Sequence, residues 1–193
     1  TKSQKIAGCV LANIGAETVS IAVFENNIPV SLEVFPIGST DITNDIALGL
    51  KVPLEEAEQI KIGAITGSSY PRKKLEEIVS ARLSDIFELI EAHLKKIGRN
   101  GLLPAGIILT GGGSGLSGIE ELAKSALRLP SRIGQVGLVL PDKQIFKDSA
   151  WAVSYGLCIL GVHAEEDMPI DSSTRIFEHS KRTVIAWLKQ FLP

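Results

Sequence analysis

The chain holds 193 residues, 45% of them hydrophobic, with 22 acidic against 20 basic side chains and a formal charge of −2, which is enough apolar material for one domain or two small ones. With no basic excess to attract phosphate, nucleic acid is excluded as the expected partner. Cys9 and Cys158 both lie in apolar runs, which reads as two buried free thiols in a reducing, cytosolic compartment rather than a disulfide or a metal site.

Three strands are expected first, over 6–14, 18–24 and 29–35, with "ENN" as the turn between the second and third. "STDITNDIALGL" then offers Ser39, Thr40 or Asp41 as a helix N-cap, with Ile42, Ile46 and Leu50 at helical spacing. Pro53 starts a second helix that runs through Lys61. "GAITGSSYP" has the composition of a loop. Over 71–97, Leu75, Ile78, Val79, Leu83, Ile86, Phe87, Ile90 and Leu94 recur at three and four, predicting a long amphipathic helix that Gly98 closes. "GIILTGGGSGLSGIEELA" reads as strand, glycine loop and helix, followed by a short strand at "SRIG" and a buried helix at "SAWAVSYGLCILG". After Gly161, "VHAEEDMPIDSST" buries too little apolar surface to order itself and reads as a linker. The last stretch, "SKRTVIAWLKQFLP", places Val184, Trp187, Leu188 and Phe191 on one helical face, widened by Ile185 and Leu192. Lys181, Arg182 and Lys189 form its basic side. No signal-peptide pattern and no apolar run near the roughly 18 residues of a spanning helix are present, so membrane contact is expected to be peripheral.

A glycine run directly after a buried strand lets backbone approach a ligand closely, because no Cβ intervenes. The helix that follows directs N–H groups toward the loop, which favours anionic or polar ligand groups. The competing reading is a tight strand-to-helix connection with no ligand. "GGGSGLSG" is neither a Walker loop nor a dinucleotide fingerprint. "LANIGAETVSIAVF" is a second strand–turn–strand unit whose backbone N–H groups are placed to cradle phosphate.

These motifs, taken in order with "ITNDIALGLKVPLEEAEQIKI", "LEEIVSARLSDIFELI" and "WAVSYGLCILG", resemble the second half of an actin-like ATPase, and more closely the FtsA family of bacterial division proteins. The resemblance covers nearly the whole chain. It implies an α/β fold: an actin-like (ribonuclease H-like) second lobe with a mixed sheet, built from 1–50 and 100–162. Into that lobe an FtsZ-docking helical subdomain is inserted at 51–99, and a flexible acidic linker at 163–179 leads to an amphipathic membrane-targeting helix at 180–193. The lobe carrying the first phosphate loop is expected to lie outside this sequence. The connection between residues 62 and 71 is shorter than the family's, either through reduction of the subdomain or through loss of a segment.

The same resemblance assigns the nucleotide site. Gly111, Gly112, Gly113 and Ser114 match the adenosine motif, and Glu58 and Lys61 match the acid and base that contact ribose or adenine. Asn13, Gly15 and Thr18 lie in the second phosphate loop. There Asn13 stands where the family has an acid, Ala16 and Glu17 replace glycines, and Ser20 replaces a second acid. A neutral amide gives Mg²⁺ less than a carboxylate does. The expectation is therefore ATP with Mg bound only together with the other lobe, weak or absent hydrolysis, and no assigned catalytic residue or protein metal ligand.

By the same resemblance, the partners are the FtsZ C-terminal tail, further copies of the chain in a filament, and the inner face of the cytoplasmic membrane at the division site. Arg82 matches a basic docking position, and Arg72, Lys73 and Lys74 add attraction for an acidic tail; solvated helix charges are the plainer account of each one. Two other functions share the lobe: a chaperone-like or sugar-kinase-like ATPase, and an FtsA-like pilus-assembly scaffold. The terminal helix separates them from a membrane tether.

Overall fold

Alternation of buried and more exposed side chains marks the two central antiparallel strands of the sheet. In β1 (Cys9–Ile14) Val10, Ala12 and Ile14 are buried on one face, and β2 (Val19–Glu25) sends Val19, Ile21 and Val23 to the same face, as the two-residue period of a strand dictates. Asn26 and Asn27, both at positive φ, make the two-residue turn into β3 (Ile28–Phe35). Their left-handed backbone matches the twist of an antiparallel hairpin. β4 (Ile107–Thr110) pairs with β1 in parallel and β5 (Ser131–Ile133) with β4 in parallel, which completes a mixed five-stranded sheet of order β3-β2-β1-β4-β5.

The computed structural model describes residues 1–64, 70–134, 138–139, 145–146 and 149–167. Two units divide the chain, Thr1–Val153 and Ser154–Pro193. The first holds the sheet, the helices α1 (Lys2–Ala7), α2 (Ser39–Leu50), α3 (Leu54–Lys61), α4 (Arg72–Lys96) and α5 (Ile119–Leu127), and a two-stranded ribbon of β6 (Leu138–Val139) and β7 (Ile145–Phe146). The first expected strand begins later than its apolar run, because Lys2–Ala7 is helical and Gly8, at φ 99°, turns the chain into β1.

Helix α2 starts where Asp41 Oδ2 accepts the Gly38 N–H at 2.8 Å, satisfying a backbone donor at the helix entry. Helix α4 buries His93 and, on its apolar stripe from mid-helix onward, Leu83, Ile86, Phe87, Ile90 and Leu94. The five apolar side chains share one hydrophobic cluster with Val10, Ile14 and Ile21 of the sheet, Ile42 and Ile46 of α2, and Ile119 of α5. The helical block expected at 51–99 thus has no separate core among the described residues. An amphipathic repeat shows that a stripe is buried, not which surface buries it. At the end of the stripe, His93 Nε2 lies 2.8 Å from Ser31 Oγ, and Nδ1 lies 3.3 Å from Glu33 Oε2, which ties α4 to the edge strand β3.

Helix α6 (Ala152–Asp167) leads into the second unit. Two sequence expectations are corrected here. Leu157, Leu160 and Val162 are exposed rather than buried, and so is Cys158; only Cys9 is a buried free thiol. An apolar run fixes composition, not the direction in which each side chain points. The helix also continues to Asp167, into the stretch expected as a linker. The amphipathic segment at 180–193 lies outside the described residues. Among the described residues no helix is long and apolar enough to cross a membrane.

Candidate functional site

Because β1 and β4 run parallel, with Asn13 beside Thr110, the loops that leave their carboxyl ends emerge side by side. Ligand sites of open α/β sheets gather at such ends. Gly111 has φ 88°, and a Cβ there would meet the Ile14 carbonyl and lie 2.7 Å from Asn13 Oδ1; a Cβ on Gly113 would lie 2.5 Å from Ile14 Cγ2. These two glycines are required by the close packing of the loop on β1. Gly112 and Gly115, at the ends of a 3₁₀ turn, are exposed, with no atom nearer than 3.9 Å to an added Cβ. Their bareness serves no packing need in this chain.

Ser114 is wholly buried, and its hydroxyl donates to the Gly111 carbonyl at 2.7 Å. It also lies 2.9 Å from the hydroxyl of Ser149, whose carbonyl accepts the Gly111 N–H at 3.2 Å. Ser114 therefore holds the loop rather than facing a ligand. Ser149, 35 residues downstream of Ser114, carried no signal in the sequence.

The opposite wall comes from α2 and α3. Lys61 Nζ donates to the Ser39 carbonyl at 3.1 Å, to Thr43 Oγ1 at 2.8 Å and to Glu58 Oε2 at 2.7 Å. Thr43 Oγ1 donates in turn to the same Glu58 oxygen at 2.6 Å. The Lys61 side chain is only 7% exposed, whereas that of Glu58 is 44% exposed. Burial pushes the Glu58 carboxyl up, but the hydrogen bonds from Lys61 and Thr43 outweigh it and hold the group below its ordinary value. Thr43 was missed by sequence reasoning, although it lies within "ITNDIA" and meets Glu58 of "EEAEQIK".

Between the walls is a cleft of about 450 Å³, lined by Gly112, Gly113 and Gly115 on one side and by Ser39, Glu58 and Lys61 on the other, with Ile62 and Leu116 as apolar surface. The structure thus brings the glycine loop and the Glu58–Lys61 pair to one cavity. Asn13, Gly15 and Thr18 do not line it. Gly15 and Thr18 close the β1–β2 turn through a 2.9 Å backbone bond, and the carbonyls of Gly15 and Ala16 accept the N–H groups of Ser39 and Thr40 at the start of α2. Glycine is needed at position 38 for this approach, since a Cβ there would strike the Ala16 carbonyl.

The basic residues of α4 are placed differently from one another. Arg72 lines a neighbouring cleft of about 480 Å³, together with Lys61, Tyr70 and Leu116. Lys73 and Lys74 are exposed. Arg82 is held by Asp45 of α2 and approaches Asp85 at 3.3 Å. Among the described residues no three His, Cys, Asp or Glu side chains gather in a way that could hold a metal ion.

A β-meander joined to two parallel strands, with a glycine loop at their carboxyl ends and helices carrying the facing wall, defines a lobe of the actin-like class. The lobe is similar to the MreB5 protein of Spiroplasma citri solved with ADP, with a TM-score of 0.67 and 16% identity over 88% of this chain and 57% of that one. It is also similar to a chain of the PilM–PilN type IV pilus biogenesis complex, with a TM-score of 0.67 and 23% identity over 83% and 48%. The family model described as cell division protein FtsA matches residues 10–156. The cell division protein FtsA of Pseudomonas aeruginosa is 31% identical over an alignment 216 positions long, which takes in 100% of this chain and 52% of that protein. The chain belongs to the FtsA family. It spans about half the length of that relative, and little more than a third of several others that it matches.

Proposed function

We propose that this chain is the second, nucleotide-holding lobe of a division protein that binds ATP, assembles as an actin-like protofilament and tethers FtsZ filaments to the inner face of the cytoplasmic membrane. The observation that carries the nucleotide part is the cleft in which the open backbone of Gly112 and Gly115 faces the Glu58 carboxylate across about 450 Å³. Its chemistry suits a nucleoside: bare backbone against which a flat base or a phosphate lies closely, and an acceptor for sugar hydroxyls. Mg²⁺ would arrive with the phosphates, which supply most of its ligands, and would neutralise their charge. From this chain Asn13 contributes at most an amide oxygen, so binding outlasts turnover.

The family membership supports the remaining parts. Arg72, Lys73 and Lys74 are exposed basic residues in the first turn of α4, available to an acidic FtsZ tail, while Arg82 must first leave Asp45. The segment 181–192 is the membrane element.

The test is titration of a fluorescent ATP analogue into this chain alone and into this chain joined to a first lobe of the family. We expect weak or no binding alone, binding when the second wall is supplied, and loss of that binding in Gly112→Val. A pull-down on an immobilised FtsZ tail peptide checks the docking part. Vigorous ATP hydrolysis by the 193 residues alone would overturn the two-walled reading.

A further inference from the structure

Beyond α4 the chain turns twice before it reaches β4. The N–H groups of Gly98 and Arg99 donate back to the Lys95 and Leu94 carbonyls, and the Leu102 N–H then donates to the Arg99 carbonyl at 3.1 Å. That last bond closes a four-residue turn with Asn100 and Gly101 at its centre, both of them exposed. Gly101 has φ 70°, the conformation that favours glycine at the third residue of a turn. A Cβ built on Gly101 would meet no atom within 4 Å, and the Gly101 N–H has no acceptor among the described residues. Asn100 is the one asparagine in the sequence that a glycine follows. Its side chain therefore stands beside a backbone nitrogen that neither a hydrogen bond nor a β-carbon shields.

Asn100 is also tied into a set of charges. Its side-chain amide donates to the Glu91 carboxylate, which Lys95 holds at 2.8 Å and on which Arg128, at the end of α5, also acts. Lys95 most of all, with Arg128 and Asn100 adding to it, keeps the Glu91 carboxyl below its ordinary value against the opposing effect of burial. Next to Asn100, Arg99 Nε pairs with Glu25 Oε1 at the end of β2.

We propose that Asn100–Gly101 is a site of spontaneous covalent modification: the Gly101 nitrogen closes on the Asn100 side-chain carbonyl carbon, and the product sets an aspartyl or isoaspartyl carboxylate against Glu91. In the first step the bond from Gly101 N to Asn100 Cγ forms, the Cγ–Nδ2 bond breaks, and the Gly101 amide proton leaves with Nδ2 as ammonia. Water then opens the five-membered imide. Cleavage between Cγ and the Gly101 nitrogen leaves an aspartate; cleavage between the Asn100 main-chain carbonyl and that nitrogen leaves an isoaspartate, with the chain running through Cβ and Cγ. Water is the one co-reactant. Either product exchanges a donor to Glu91 for a like charge. The isoaspartate also lengthens the turn by one backbone atom, between the Arg99–Glu25 pair and the buried Leu103. The turn does not line the nucleotide cleft, and its chemistry does not depend on the nucleotide reading.

The experiment is incubation of the folded 193-residue chain in mildly alkaline buffer, followed by peptide mass mapping and by methyl transfer from an isoaspartyl methyltransferase. The peptide that contains Asn100 should gain one mass unit and accept methyl groups. Asn100→Gln, whose longer side chain would have to close a larger ring, should do neither, and Gly101→Ala should react several-fold more slowly because a methyl group now flanks the nitrogen. Both positions are exposed, so no buried contact is lost in either variant. A chain unfolded in urea gives the reference rate. If the unfolded chain reacts and the folded one does not, the fold protects the pair and the proposal is overturned; equal reaction in Gly101→Ala and the parent overturns the assigned nucleophile. Carbon NMR of the Glu91 carboxyl then checks the consequence. Its midpoint should rise in the aged chain and in Asn100→Asp, and an unmoved midpoint in both overturns the placement of the new charge against Glu91.

Discussion

Arg82 of α4 grips Asp45 of α2 with both faces of a fork, Nε to Oδ2 at 2.7 Å and Nη2 to Oδ1 at 3.0 Å, with each side chain 29% exposed. Paired geometry of this kind is worth more than a lone surface ion pair, on the order of 1 kcal/mol. We predict that Arg82→Ala and Asp45→Ala each lower the unfolding free energy by about that much, and that the double variant costs clearly less than the sum of the two. Urea denaturation of the four proteins measures it. Strict additivity would show that the pair does not join the helices. The same pair bears on partner binding: an acidic tail that used Arg82 would have to displace Asp45, so Asp45→Ala should strengthen tail binding if Arg82 is a docking residue and leave it unchanged if Arg72, Lys73 and Lys74 do the work.

Acid should weaken the α2–α3 wall through Glu58. Its folded carboxyl lies below the ordinary 4.5, because the Lys61 and Thr43 hydrogen bonds outweigh the effect of burial. A group depressed by folding contributes stability that is present above its unfolded pKa and is lost as pH falls through the folded one. The expected outcome is a melting temperature that falls between about pH 5 and pH 3 more steeply in the parent than in Glu58→Gln. Parallel curves would mean that the group contributes nothing to this window.

The glycines of the loop should divide into two kinds. Gly111→Ala places a side chain at φ 88° against the Ile14 carbonyl, and Gly113→Ala drives one into Ile14 Cγ2; each should cost about 1–3 kcal/mol of stability. Gly112→Ala and Gly115→Ala meet open space and should melt like the parent, while weakening nucleotide binding in the two-lobed protein. Thermal melts beside nucleotide titrations separate the classes. Equal destabilisation by all four would return the motif to a mere strand-to-helix connection.

Much of this was legible in the sequence, for a physical reason that also marks its limit. The alternating run over 18–24, the long repeat of α4 and the Gly98 stop are local patterns, and local patterns survive without knowledge of the partner. Partners are a different matter. Glu58 and Lys61 look like an exposed i,i+3 pair until α2 brings Thr43 and the Ser39 carbonyl against them. Ser114 reads as part of a ligand loop until Ser149 closes over it. Arg82 reads as a free basic contact until Asp45, 37 residues earlier, is found in its fork.

The placement of α4 in the sheet's own core gives a direct check on packing. Phe87 and Ile90 are wholly buried, so Phe87→Ala should cost about 3–5 kcal/mol and Ile90→Ala about 2–5. Lys74→Ala, on the exposed first turn of the helix, should stay within about 0.5 kcal/mol of the parent. Were residues 51–99 an independently packed subdomain, the Phe87 variant would melt in two steps, with the sheet surviving the first. A single lowered transition, followed by circular dichroism and by fluorescence of a probe on β2, is the expected result.

The last prediction concerns the segment 181–192, which lies outside the described residues and is argued from sequence alone. A helix with Val184, Trp187, Leu188 and Phe191 on one side has two ways to hide them, against protein or in the interface of a bilayer. Lys181, Arg182 and Lys189 favour the second, since each basic residue near an anionic surface contributes about 1 kcal/mol, and aromatic rings settle at headgroup depth. Three such charges and one short apolar face bind reversibly, so a filament that presents many copies should hold far more firmly than one chain. Sedimentation with anionic vesicles is the measurement, comparing the intact chain, a chain ending at Thr174, and Trp187→Glu. The intact chain should pellet with the vesicles, and more so when clustered, while the other two stay in solution and high salt releases part of the bound material. If all three pellet alike, or none does even when clustered, the segment is not the anchor, and its apolar face belongs against protein.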